Sequence, residues 1–180
     1  MKKIDLATEQ QRFDLLLCFE KELYLQGYQW IAGTDEAGRG PLAGPVVAAA
    51  VILPQEIFIC GLNDSKKLSE KRRLLLEKEI QEKAIAWSVA EVSAAQIDEI
   101  NILEASRLAM RQAVQGLRVA PDYLLTDAVA VHQLTIPQRN IIKGDCLSAT
   151  IAAASILAKN HRDRLMCQYD EVWPEYGFAQ

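Results

Sequence analysis

Ile31-Ala32-Gly33-Thr34-Asp35-Glu36-Ala37-Gly38-Arg39-Gly40-Pro41 places two acids at the end of an apolar run and follows them with a glycine-arginine-glycine turn. Trp30 to Thr34 reads as a short buried strand. Side chains alternate faces along a strand, so Asp35 and Glu36 are expected to reach one site only if the strand stops between them. Gly38 and Gly40 supply a place for that stop, because glycine accepts positive φ and lets backbone amides approach a ligand. Arg39 offers a fixed cation suited to phosphate. Acids for a metal beside donors for phosphate point to phosphodiester chemistry. An ordinary charged turn between two strands accounts for the same residues, since Asp, Glu and Gly are common turn formers.

The acids farther along the chain shift that balance. Tyr123-Leu124-Leu125-Thr126-Asp127 is a short apolar strand ending in an acid, and Asn140-Ile141-Ile142-Lys143-Gly144-Asp145 reads as another, just before a helix from about Ser148 to Gln168. Taken singly, Asp127 or Asp145 is as easily a turn or helix-capping residue. Three strand ends that each carry acids are better explained by a shared site, because carboxylates brought together repel one another unless a cation lies between them. Oxygen ligands without histidine or thiolate select hard ions, Mg²⁺ or Mn²⁺ rather than zinc. Two such ions would support in-line phosphoryl displacement by water, with no side-chain nucleophile.

Around these acids the pattern predicts an α/β domain. Residues from about Thr8 to Leu25 carry an apolar helical face and form one amphipathic helix. Pro45 to Leu53 is a second buried strand, antiparallel to the first because the connection is short. Asn63-Asp64-Ser65-Lys66-Lys67-Leu68 is a polar loop that serves either as a solvated helix entry or as a phosphate clamp, and Ser69 caps a helix from about Glu70 to Lys83. Ile85, Trp87 and Val89 alternate with smaller residues as a third strand. Ser93 to Gln96 is a capping-box pattern, and a break at Asn101 divides the helical stretch that ends near Gly116. The small face Ala152, Ala153, Ala154, Ser155 and Ala158 suits close packing on the sheet. Three hairpin-type strands followed by helix-strand units predict a mixed five-stranded sheet flanked by helices, with ligands gathering at strand ends.

Composition limits the alternatives. The chain has 180 residues, half of them hydrophobic, and a net charge of −4; this suits one globular domain and argues against holding nucleic acid by bulk charge. Contacts to phosphate must therefore be local. No apolar run approaches the roughly 20 residues that span a bilayer, and Met1-Lys2-Lys3-Ile4-Asp5 does not lead into a signal-peptide core, so no membrane partner and a cytoplasmic location are expected. Cys18, Cys60, Cys146 and Cys167 are far apart and are expected to be reduced, small core residues.

The motifs Asp35 to Pro45, Asn63 to Leu68, Asn101 to Leu103, and Lys143 to Asp163 together resemble ribonuclease HII. The resemblance runs from Tyr28 onward. It implies a ribonuclease H-like fold, with residues 1–28 as a helical lead-in and 29–180 as the catalytic domain. It also implies an endonuclease for RNA/DNA hybrids that cuts 5′ of single ribonucleotides embedded in DNA and leaves 5′-phosphate and 3′-hydroxyl ends; a monomer is expected. By motif, Asp35, Glu36, Asp127 and Asp145 would be the catalytic acids that hold two ions, Mg²⁺ or Mn²⁺. Gly38, Arg39 and Gly40 would meet the 2′-hydroxyl that distinguishes RNA from DNA. Asn63, Ser65, Lys66 and Lys67 would hold backbone phosphates, with Lys159 assisting. Ribonuclease HIII usually has Thr where Arg39 stands and carries an extra N-terminal domain; this chain has Arg there, and no such domain is expected. In the family a lysine-glycine-tyrosine segment follows the part resembling Tyr176-Gly177-Phe178 and packs its tyrosine at the DNA side of the junction. Tyr176 is not that tyrosine, so weakened junction recognition is expected of residues 1–180. Two other readings remain at this level: a hybrid-binding module without catalysis, and a glycosidase with paired carboxylates.

Overall fold

The computed structural model describes residues 5–179; Gln180 and Met1-Lys2-Lys3-Ile4, with the reading of that N-terminus, lie outside them. In chain order they form α1 (Leu6–Leu16), α2 (Cys18–Leu25), β1 (Ile31–Ala37), β2 (Val46–Ile52), a 3₁₀ turn (Ser65–Lys67), α3 (Glu70–Lys83), β3 (Ala86–Val92), α4 (Ala94–Ile100) and α5 (Ile102–Gln115). β4 (Tyr123–Asp127), β5 (Gln138–Ile141), the single-turn α6 (Gly144–Leu147), α7 (Ala149–Val172) and a second 3₁₀ turn (Pro174–Tyr176) complete them.

The sheet has the order β3-β2-β1-β4-β5. β1 and β2 pair antiparallel, as do β2 and β3, whereas β1–β4 and β4–β5 are parallel. This is the mixed five-stranded sheet that the alternation of short strands and helices predicts. β2 is wholly buried because both faces are covered. On one face Val47, Ala49 and Val51 meet α7, α3 and α1; on the other Ala48, Ala50 and Ile52 meet α5. Helices over both faces explain why β2 reads as a continuous apolar run rather than an alternation.

The closest approach lies between β1 and α7. A Cβ on Gly33 would stand 2.3 Å from the Thr150 carbonyl carbon and 2.4 Å from the Ile151 nitrogen, so only glycine fits. The small residues Ala152, Ala153 and Ala154 continue the contact and are fully buried. Asn101 divides α4 from α5 at φ 69°, and its side chain accepts from the Leu103 and Glu104 amides. The capping box at Ser93 and Gln96 is formed.

Several expectations need correction. β1 does not stop between Asp35 and Glu36; both lie within it, since antiparallel pairing to β2 runs on to Ala37. The predicted strand ending at Asp145 stops at Ile141, because Lys143 takes a left-handed conformation (φ 60°) and turns the chain into α6. Ser69 makes no side-chain capping bond. The first helix is divided at Leu17, although Leu17 still bonds Phe13 and Lys21 through its backbone, so the interruption is local. The cysteines are not core residues: Cys18 and Cys167 are exposed, and Cys60 and Cys146 are half-buried. Among the described residues no helix is long and apolar enough to cross a membrane.

Candidate active site

Parallel pairing sets Thr34 of β1 beside Thr126 of β4, so the next residues, Asp35 and Asp127, come side by side at the same end of the two strands. Asp145 arrives from the first turn of α6. The Gly144 amide donates to Asp127 Oδ1 at 2.8 Å, which ties the start of α6 to the end of β4. A Cβ on Gly144 would stand 2.6 Å from Ile151 Cδ1, the end of a flexible side chain, so a larger residue there would require Ile151 to shift. Asp35, Asp127 and Asp145 each bring a carboxylate oxygen within 4.8 Å of the others. Asp35 and Asp145 are buried, and Asp127 is half-buried.

Glu36 is not part of this tight trio. It occupies the opposite face of β1 by register, borders the same pocket, and pairs with Arg39 at 3.2 Å. Its Oε2 is buried without a partner. Burial pushes the Asp35 carboxyl well above its ordinary range, and the neighbouring Glu36 and Asp127 push the same way. Burial also raises Glu36 and Asp127; the ion pair with Arg39 opposes this at Glu36, and the Gly144 amide opposes it at Asp127. Three crowded carboxylates, each supplying oxygen alone, suit a hard divalent cation, which would relieve the repulsion that now favours protonation.

Cations line the approach. Lys66 Nζ lies 3.4 Å from Asp145 Oδ2 on a largely exposed side chain. Ser65 and Ser155 share a buried hydroxyl contact of 2.8 Å, and both border the pocket. Lys67 instead reaches Cys146 Sγ at 3.1 Å on the exterior. Asn63 turns its Oδ1 back to the Asp64 amide at 2.9 Å and does not line the pocket. Lys159 lines the pocket but is held by Asp163 at 2.6 Å. Gly38, Arg39 and Gly40 line a cavity of about 530 Å³ together with Lys66, Ser155 and Arg162.

Two contributors escape a reading by strand ends. Arg162 is buried and donates to the Pro45 and Ala43 carbonyls at 3.1 and 2.9 Å, holding down the loop that follows Gly38. Asp64, also buried, caps the 3₁₀ turn through the Lys66 amide and, with Asp145 and Cys146, forms a second group of potential ligands. The acid inside Asn63-Asp64-Ser65 was the available signal for Asp64. Arg162 stands midway along α7, within the motif that ends at Asp163, but only tertiary structure shows what it holds.

The sequence pattern of the family described as Ribonuclease HII matches residues 32–180. Ribonuclease HII of Desulfitobacterium hafniense (strain DSM 10664 / DCB-2) is 57% identical over 173 residues, 96% of this chain and 66% of that protein. The chain thus spans just under two thirds of that relative's length. Among solved structures, ribonuclease H2 from Pyrococcus horikoshii OT3 aligns with a TM-score of 0.72 at 27% identity, over 81% of this chain and 78% of that one. RNase HII in the PCNA:RNase HII complex from Archaeoglobus fulgidus aligns at 0.65 and 30% identity, over 80% and 78%.

Proposed function

The chain belongs to the ribonuclease HII family, and from that premise we propose that it is an endonuclease that hydrolyses the RNA strand of RNA/DNA hybrids and cuts 5′ of single ribonucleotides embedded in duplex DNA. Its mixed sheet with flanking helices is the ribonuclease H-like fold of its structural neighbours. The observation that carries the proposal is the trio Asp35, Asp127 and Asp145, with their ligand atoms within 4.8 Å of one another.

These three acids, with Glu36 at their border, would hold two ions, Mg²⁺ or Mn²⁺. When bound, such ions acidify a water and offset the charge that develops on the phosphodiester. The protein's own groups then have separate tasks. Ser65 and Lys66 face the cavity and would fix phosphate, while Lys67, on the exterior, would meet the backbone farther along. Asn63 acts on that loop through its bond to the Asp64 amide rather than by direct contact. Gly38 and Gly40 expose backbone where the 2′-hydroxyl would lie, and Arg39 joins them to Glu36. Asp163 is shared by Lys159 and Arg73, so these cations contribute less field than their number suggests. A glycosidase is disfavoured because two carboxyls suffice for it, whereas three converge here beside a pocket lined by Gly38, Arg39 and Gly40.

The test is cleavage of a labelled duplex with one embedded ribonucleotide, and of an RNA/DNA hybrid, with Mg²⁺ or with chelator. Cutting that requires the ion and leaves 5′-phosphate and 3′-hydroxyl ends is expected. Binding of either duplex without cleavage at any Mg²⁺ or Mn²⁺ concentration would instead favour a hybrid-binding module.

A further inference from the structure

Glu20 of α2 is a buried carboxyl that lies outside the catalytic pocket, only 1% exposed. Such a group is costly to bury unless hydrogen bonds hold it. Its Oε1 accepts three, from Ser148 Oγ at 2.6 Å, the Thr150 amide at 2.9 Å and Thr150 Oγ1 at 2.8 Å. Its Oε2 has none. Docking α1 and α2 onto the sheet needs no carboxyl, since Phe13, Leu16, Leu17 and Leu23 already bury apolar side chains there.

What Glu20 grips is the junction that carries Asp145. Ser148 ends α6 and begins α7: its amide bonds the Gly144 carbonyl at 2.9 Å, and its hydroxyl accepts from the Ile151 amide. Asp145 lies within the turn closed by the Gly144–Ser148 bond. Thr150 is the residue against which Gly33 of β1 abuts, two positions before Asp35. One carboxylate oxygen thus reaches both the turn bearing Asp145 and the seat of the strand bearing Asp35.

We propose that Glu20 is a positioning residue for the carboxylate trio, setting the spacing of Asp145 against Asp35 and thereby the affinity for a divalent ion. The inference rests on the reading of that trio as a cation site. It gives the N-terminal helices a part in metal binding, where their sequence suggests packing alone. Residues that orient metal ligands from behind commonly change affinity 10- to 100-fold when altered.

The test is calorimetric titration with Mn²⁺ of the wild type, Glu20→Ala, Glu20→Gln, Ser148→Ala and Asp145→Asn, each checked for folding by circular dichroism. Glu20→Ala is expected to raise the Mn²⁺ dissociation constant about tenfold or more. Glu20→Gln, which keeps an oxygen for the three donors, is expected to return it toward the wild-type value. Wild-type affinity in folded Glu20→Ala overturns the role. If Glu20→Ala does not fold, Ser148→Ala decides in its place, and unchanged Mn²⁺ affinity there overturns it equally. Asp145→Asn separates the two readings. If it loses Mn²⁺ while the Glu20 and Ser148 variants keep it, only the role of Glu20 falls; if it too binds like the wild type, the cation site falls and Glu20's role with it.

Discussion

Asp35 is buried, and Glu36 and Asp127 add to the cost of its charge. Replacing it with Asn removes that charge at nearly constant size. Mg²⁺-dependent cleavage is expected to fall at least about 100-fold, since a lost ligand costs several kcal/mol of transition-state stabilisation and each ~1.4 kcal/mol is tenfold in rate. The melting temperature of the metal-free protein should not fall, because a repulsion has been removed. Wild-type turnover in Asp35→Asn would contradict the assignment. A second contrast lies a few residues on. Gly38 has φ 112°, and a Cβ there would stand 2.6 Å from the Pro45 carbonyl oxygen and 2.7 Å from Arg162 Nε. Gly38→Val should therefore damage cleavage more than Arg39→Ala, whose guanidinium is partly exposed and bonds Glu36 alone. The damage would come through displacement of the loop held by Arg162. Equal rates in the two variants would count against it.

At the scale of the element, β1 and α7 are coupled through one glycine. Gly33→Ala forces a methyl against the α7 backbone, which cannot yield as a side chain could. Overpacking of this kind costs about 1–3 kcal/mol, and a drop in the denaturant midpoint with an unchanged slope is the expected readout. This contact also shows what the sequence could and could not reveal. The run Ala152-Ala153-Ala154 announced close packing of a helix on the sheet, although Gly33 as its partner was not legible, and the acids of β1 and β4 were legible because each follows an apolar run. Asp145 was singled out as the end of a strand that the structure does not form there. It sits on a helical turn that depends on Lys143 adopting positive φ, a conformation no local pattern announced for a lysine. The continuation of β1 through Glu36 was hidden too, because pairing with β2 outweighs the two acids' poor strand propensity. Glu20 and Arg162 were illegible as participants, since their partners lie 128 and 117 residues away.

For the molecule as a whole, the buried acids couple stability to pH. Burial raises the carboxyls of Asp35, Glu36, Asp127 and Glu20. The folded chain therefore keeps protons at pH values where the unfolded chain, with carboxylates titrating near about 4, has lost them. With more protons bound in the folded state, stability falls as pH rises through the raised values. Metal-free protein should melt at a higher temperature at mildly acid than at neutral pH. Added Mg²⁺ should raise the melting temperature most at the alkaline end, where protons no longer compete for the ligands. Scanning calorimetry with chelator and with Mg²⁺ checks both, and a melting temperature that climbs with pH in the chelated protein would contradict the account.

The pairing of β1 with β4 has a consequence in time. The chain between them includes two strands and three helices, and Thr34 meets Thr126 only after that long loop has closed. Non-local parallel pairing of this sort is slow, because loop closure comes before the contacts that reward it. During synthesis the β1–β2–β3 meander can form while β4 is still being made, leaving one edge of β1 bare until the second half of the domain arrives. Asp35 thus gains Asp127 and Asp145 as neighbours only after β4 and α6 have been made and the loop has closed.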